Sequence, residues 1–149
     1  MKTILSIFLL FPMLLTSCTK DPLVTKSQWT INGETHLADS TFLVTDNPLY
    51  EHFIESNGKG YFVHIFFNSF PTQNQVYNVI YGHVSSNTDC TIDVGNITGI
   101  YSCIDTTNEI LNVTLVAGKI HASFNRIAVK NIYPPYDTAY VTGTIIQNY

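Results

Sequence analysis

From Gln28 onward the chain is written in short runs of alternating apolar and polar residues, each broken by glycine, asparagine or proline. A period of two sends successive side chains to opposite faces of a strand, whereas a helix needs apolar residues every three or four positions. Gln28-Trp29-Thr30-Ile31 and Glu34-Thr35-His36-Leu37-Ala38 flank Asn32-Gly33, the pair that most readily closes a two-residue hairpin. Leu49 to Ser56 and Gly60 to Phe67 alternate around Asn57-Gly58-Lys59-Gly60, and Leu111-x-Val113-x-Leu115 leads through Ala117-Gly118 into Ile120-x-Ala122-x-Phe124. Beyond Asn125 the phase changes to Ile127-x-Val129, which predicts a β-bulge near Asn125-Arg126. Thr41 to Thr45, ended by Asp46-Asn47-Pro48, reads as another strand. So does Val76 to Val84, with Tyr77, Val79 and Tyr81 on one face, and so does the last run, with Val141, Gly143 and Ile145 alternating. About ten short strands with no amphipathic helix between them predict an all-β fold, an antiparallel β-sandwich or barrel.

The first residues follow a different pattern. Met1-Lys2-Thr3 supplies one positive charge, and Ile4 to Leu15 is an apolar run interrupted only by Ser6 and Pro12. That run is about 12 residues, well short of the roughly 20 needed to span a bilayer as a helix. A charged start, a short apolar middle and small residues at the end read as a secretory signal peptide. The ending Leu15-Thr16-Ser17-Cys18 resembles the lipobox of bacterial lipoproteins. The resemblance implies a diacylglyceryl group on the Cys18 thiol, cleavage between Ser17 and Cys18, and acylation of the new amino group. One acyl chain binds a membrane only marginally, and two or more give a stable anchor. The alternative is an ordinary cleaved signal with a chance cysteine. The expected organisation is therefore a leader over 1–17, the lipidated cysteine and a tether over 18–27, and a single all-β domain over 28–149. Thr19 to Ser27, fully extended, reach at most about 30 Å.

Without the leader 132 residues remain, enough for one domain with a core of its own. Six basic residues then face eleven acidic ones, a net charge of −5, and the basic ones are scattered. Binding a phosphate backbone needs clustered cations, so no nucleic-acid partner is expected.

With Cys18 committed to lipid, Cys90 and Cys103 are left as a pair, a candidate disulfide in an oxidising envelope. If the turn after Val94 centres on Asn96-Ile97, Cys90 lies directly opposite Cys103, Ile92 opposite Tyr101 and Val94 opposite Gly99. Directly opposed residues have Cβ atoms near the distance a disulfide needs, and closing the loop would stabilise by about 3 kcal/mol. The alternative is two buried free thiols.

Three features together resemble small Bacteroidota-type outer-membrane lipoproteins of uncharacterised function. They are the Trp29-Thr30-Ile31-Asn32-Gly33 start, Ala38-Asp39, and the closing Gly118-Lys119-Ile120-x-Ala122-x-Phe124 with Val141-Thr142-Gly143-Thr144-Ile145. These features imply a β-sandwich-like fold, and Cys18-Thr19-Lys20-Asp21, which looks like the start of many such lipoproteins, implies an outer-membrane location, facing the periplasm or the cell surface. The resemblance carries no catalytic residue across. Asp39-Ser40-Thr41, Asp105-Thr106-Thr107 and Asp137-Thr138-Ala139 also look like the Asp-Ser/Thr-X acceptors of Bacteroidota-type protein O-glycosylation.

No cofactor is expected. His36, His52, His64, His83 and His121 form no H-x-H or H-E-x-x-H spacing, so no metal site is expected either; His52 and His64 would face each other only across a three- or five-residue connection. The serines lack a G-x-S-x-G context, and nothing in the sequence pairs Glu34, Glu51, Glu55 or Glu109 as catalytic carboxylates. A non-enzymatic role follows as the expectation. The loop Asn131-Ile132-Tyr133-Pro134-Pro135-Tyr136-Asp137 is the candidate ligand-binding element, with Tyr133 and Tyr136 flanking two stiffening prolines. The expected function is a lipid-anchored binding or interaction module for a glycan or an envelope protein. The alternatives are a structural or assembly subunit of an outer-membrane complex and, further off, a small hydrolase.

Overall fold

The computed structural model of the protein describes residues 26–46, 51–104 and 108–148. The expected leader 1–17, Cys18 and the expected tether as far as Thr25 lie outside the described residues, as do Asn47-Pro48 and Asp105-Thr106-Thr107.

Turn chemistry makes the first links. Asn32-Gly33 joins β1 (Gln28–Ile31) to β2 (Glu34–Leu37), Lys59-Gly60 joins β4 (Glu51–Gly58) to β5 (Tyr61–Phe67), and Ala117-Gly118 joins β9 (Ile110–Val116) to β10 (Lys119–Asn131). All six turn residues have positive φ, between 49° and 82°. Two successive positive φ values turn the chain in the sense of the strands' own twist, which holds each hairpin to a two-residue loop. The remaining strands are β3 (Ser40–Asp46), β6 (Gln75–Val79), β7 (Asp89–Asn96), β8 (Gly99–Cys103) and β11 (Thr138–Ile146).

All eleven belong to one mixed sheet in the order β2-β1-β11-β10-β9-β6-β7-β5-β4-β3, with β8 paired to both β7 and β10. The pairings β7–β8, β8–β10, β10–β9, β9–β6 and β6–β7 therefore form a closed circuit. One of them departs from the expected antiparallel pattern: β6 and β7 run parallel, with Asn78 opposite Asp89 and Val79 opposite Cys90. The two strands overlap only at those ends, so their short connection needs none of the long crossover that parallel neighbours usually require.

β10 is the longest strand, and its middle carries the expected bulge. Its pairing with β11 shifts register between Phe124 and Ile127, and Arg126 sits at φ 56° with its N–H donating to Thr142 Oγ1 at 2.9 Å. Burial changes phase there, from Ile120, Ala122 and Phe124 to Ile127 and Val129. Before the bulge β10 pairs with β9, and after it with β8.

The core gathers the inward rows of these strands: Ile54, Val63, Ile65, Ile92, Leu111, Val113, Val141 and Ile145, all fully or almost fully buried. Gly143 makes room between two large rings. Trp29 is its direct partner on β1 and Phe124 on β10, and a Cβ at residue 143 would stand 2.8 Å from Phe124 Cζ and 3.0 Å from Trp29 Cβ. A buried row of hydroxyls joins the sheet's far ends. Ser27 Oγ accepts from Ile146 N–H at 2.7 Å and lies 2.7 Å from Thr41 Oγ1, which lies 2.9 Å from Ser56 Oγ. Hydrogen bonding along the row satisfies polar groups whose burial would otherwise cost stability.

The cysteine expectation is corrected. Asn96 is paired with Gly99 and Val94 with Tyr101, so the turn centres on Ile97-Thr98, one residue later than expected. Asn96 Oδ1 sets it by accepting from Thr98 N–H, Thr98 Oγ1 and Gly99 N–H. The register moves by two residues, Cys90 is no longer opposite Cys103, and both are buried free thiols. Cys90 instead pairs with Phe67 and Val79, and Cys103 with Val129.

Two outcomes follow. A thiol reagent should leave Cys90 and Cys103 unmodified in the native domain and label both on denaturation; an intact mass 2 Da low before reduction would refute the free pair. Gly143→Ala should cost about 1–3 kcal/mol through overpacking, read as a lower urea midpoint with an unchanged slope.

Candidate functional site

The loop that follows β10 is built to hold its shape. Asn131 N–H donates to Asp137 C=O at 2.9 Å, and Tyr136 N–H donates to Tyr133 C=O at 2.9 Å. Asn131 Oδ1 accepts from Tyr133 N–H at 3.0 Å, while its Nδ2 donates to Asp137 Oδ1 at 3.3 Å. From β8, the Tyr101 hydroxyl donates to Asp137 Oδ2 at 2.7 Å. That bond holds the Asp137 carboxyl below the usual aspartate range and pushes the Tyr101 phenol above its ordinary value, with burial adding to the latter. Tyr136 itself takes φ 57°. Despite this anchoring, Tyr133 and Tyr136 remain 53 % and 54 % exposed.

The two tyrosines part company at the surface. Tyr136 lines a depression of about 380 Å³ together with Tyr81, Ser102, Ile104, Lys130, Asn131 and Ile132. Tyr133 does not line it. Lys130 Nζ stands 5.9 Å from the Tyr136 ring centre. A second depression of about 660 Å³ adjoins the first, sharing Tyr81 and Ser102 and running on to Phe66, Asn68, His83, Thr91 and Asp93. Together they make a trough across β5, β7, β8 and β10. Each half falls within the roughly 300–1,000 Å³ of ordinary small-ligand sites.

Tyr81 is the residue that sequence reasoning placed wrongly. Strand β6 stops at Val79, and Gly82 at φ 92° turns the chain, so Tyr81 leaves the buried row of Tyr77 and Val79 and is 61 % exposed. The glycine directly after it was the available signal. Ser102 and Lys130 carried no signal at all, because they meet only through the β8–β10 pairing, where they are direct partners.

Elsewhere, a depression of about 470 Å³ over β1, β11 and β10 is lined by Thr30, Thr142, Thr144, Ser123 and Asn125, with the rings of Trp29 and Phe124 buried beneath. It offers hydroxyls without an exposed aromatic face. The histidines stay apart: His52 faces Phe67 and His64 faces Glu55, because the hairpin loop has two residues. Among the described residues no three His, Cys, Asp or Glu side chains stand close enough to hold a metal ion. Burial pushes both thiols up, Cys90 further through its neighbours Cys103 and Asp89, so neither is a thiolate at neutral pH. Glu109 Oε1 accepts from Ala128 N–H at 2.8 Å and thereby braces β10.

The Tyr101–Asp137 bond makes the loop sensitive to pH at both extremes. Asp137's contribution is present above its unfolded pKa of about 3.9 and is lost as pH falls through its lower folded value. Tyr101's contribution is present below its unfolded pKa of about 10 and is lost as pH rises through its higher folded value. Carbon-detected NMR should find the Asp137 carboxyl titrating below 3.9, and Asp137→Asn should speed amide exchange at Asn131 and Tyr136. An Asp137 midpoint at or above the ordinary range would contradict the bond.

Compared with protein-family models, with curated proteins and with solved structures, the chain matches no family, no curated protein and no solved structure.

Proposed function

We propose that this chain is an envelope lipoprotein, anchored in the outer membrane through Cys18 and facing the periplasm or the cell surface, whose β domain is a non-catalytic binding module. The lipobox-like Leu15-Thr16-Ser17-Cys18 supports the anchor. One observation carries the binding reading: a loop pinned by hydrogen bonds within itself and to β8 holds Tyr136 half in water at the rim of a trough. Ordering a loop costs conformational entropy, and an aromatic left outside the core returns little of it until a ligand covers the ring. Of the two expected all-β architectures, the closed circuit of strand pairs favours the barrel.

The second reading, a structural or assembly subunit, draws on β3. It ends the strand order, and Thr41 C=O, bonded by Asn148 N–H, faces away from β4. By the antiparallel alternation, Leu43 and Thr45 also direct their N–H and C=O groups to that edge, which no strand among the described residues pairs. An open edge of Phe42-Leu43-Val44 is a template for another strand.

Cys18→Ala should abolish lipid labelling and move the protein from the membrane to the soluble fraction; a variant still lipidated and membrane-bound would sink the anchor. Pull-down from envelope extracts separates the two readings. Loss of partner in Tyr136→Ala supports the trough, and loss in Leu43→Pro alone supports edge docking.

A further inference from the structure

We infer that the trough takes a neutral oligosaccharide, with Tyr81 and Tyr136 as stacking platforms. This builds on the binding-module reading and adds the chemical class of the ligand.

The floor of the trough excludes a peptide added as a strand. β7 is paired by β5 and β8, and β8 by β7 and β10, so the main-chain groups of these strands are already spent within the sheet. Peptides that bind by strand addition need an open edge, which this surface does not offer. Charge excludes a polyanion. Lys130 is the one Lys or Arg among the described residues lining either half, and Asp93 lies in the adjoining half. Recognition of phosphate, sulfate or uronate chains calls for several converging cations.

What remains matches a sugar. A pyranose presents an apolar face of C–H groups and a rim of hydroxyls that both donate and accept. Tyr81 and Tyr136 are both more than half exposed and line the same depression, supplying flat apolar surface with a polar tip. Ser102 stands where the two halves meet, with Asp93 on one side and Lys130 on the other. Those groups provide donors and acceptors at the level of the hydroxyl rim. Two adjoining depressions rather than one closed cavity suit several linked rings over a monosaccharide. The hydrogen-bonded loop keeps Tyr136 in place before binding, so little entropy is lost when a ring stacks on it.

The test uses full-length protein extracted in detergent and applied to arrays of neutral, uronic-acid and sulfated oligosaccharides, followed by calorimetry. Binding should be confined to neutral chains of two or more rings. Tyr136→Ala and Tyr81→Ala should each weaken it at least tenfold, and Tyr133→Ala should leave it within about twofold. Thermal unfolding of both trough variants should match the parent, since both rings lie largely outside the core. Preference for the anionic chains, or neutral binding untouched by Tyr136→Ala and Tyr81→Ala, overturns the inference. Capture of an envelope protein that Tyr136→Ala abolishes, with no sugar bound, overturns the ligand class while leaving the binding module standing. No ligand of either kind overturns both.

Discussion

The bulge in β10 is the constraint on which the rest of the structure depends. A strand with unbroken alternation keeps one partner on each side and one face inward. At Asn125-Arg126 the extra residue, held at φ 56° and bonded to Thr142 Oγ1, resets both. β10 pairs with β9 on one side of the bulge and β8 on the other, and that exchange of partners closes the circuit of strands. A positive φ at a residue with a side chain costs roughly 1–2 kcal/mol, and the Arg126 guanidinium stacked 4.2 Å over the Tyr140 ring offsets part of it.

The trough is a consequence of the same exchange. By pairing with β8, the last part of β10 lays Lys130 beside Ser102 and Asn131 beside Tyr101. Asn131 then organises the loop through its own backbone and side chain, and Tyr101 reaches Asp137 from the next strand. The exposed tyrosine is thus positioned by polar contacts at the rim instead of by packing. Such a design leaves the ring half in water with Lys130 Nζ 5.9 Å from its centre, and it binds the loop's integrity to the ionisation of Asp137.

Much of the fold was legible because hairpins and alternation are local. Asn32-Gly33 and Ala117-Gly118 closed the hairpins expected of them, and the phase change after Phe124 marked the bulge. The disulfide register failed for an equally local reason: the Asn96 side chain gathers three donors and moves the turn to Ile97-Thr98. Alternation alone is satisfied by a two-residue shift, since every side chain keeps its face. The parallel meeting of β6 with β7 had no local signature, being a contact between strand ends.

By itself the sequence determined the all-β class, three hairpin turns, the bulge and the two tyrosines of the Asn131–Asp137 loop, because period-two patterning and positive-φ turn residues act between near neighbours. The tertiary structure alone decided which strands lie side by side, that Cys90 and Cys103 are not cross-strand partners and remain free thiols, and that Tyr136 rather than Tyr133 shares a trough with Tyr81, Ser102 and Lys130. Those outcomes depend on contacts between residues far apart in the chain, and no local pattern specifies which distant strand a given strand will meet.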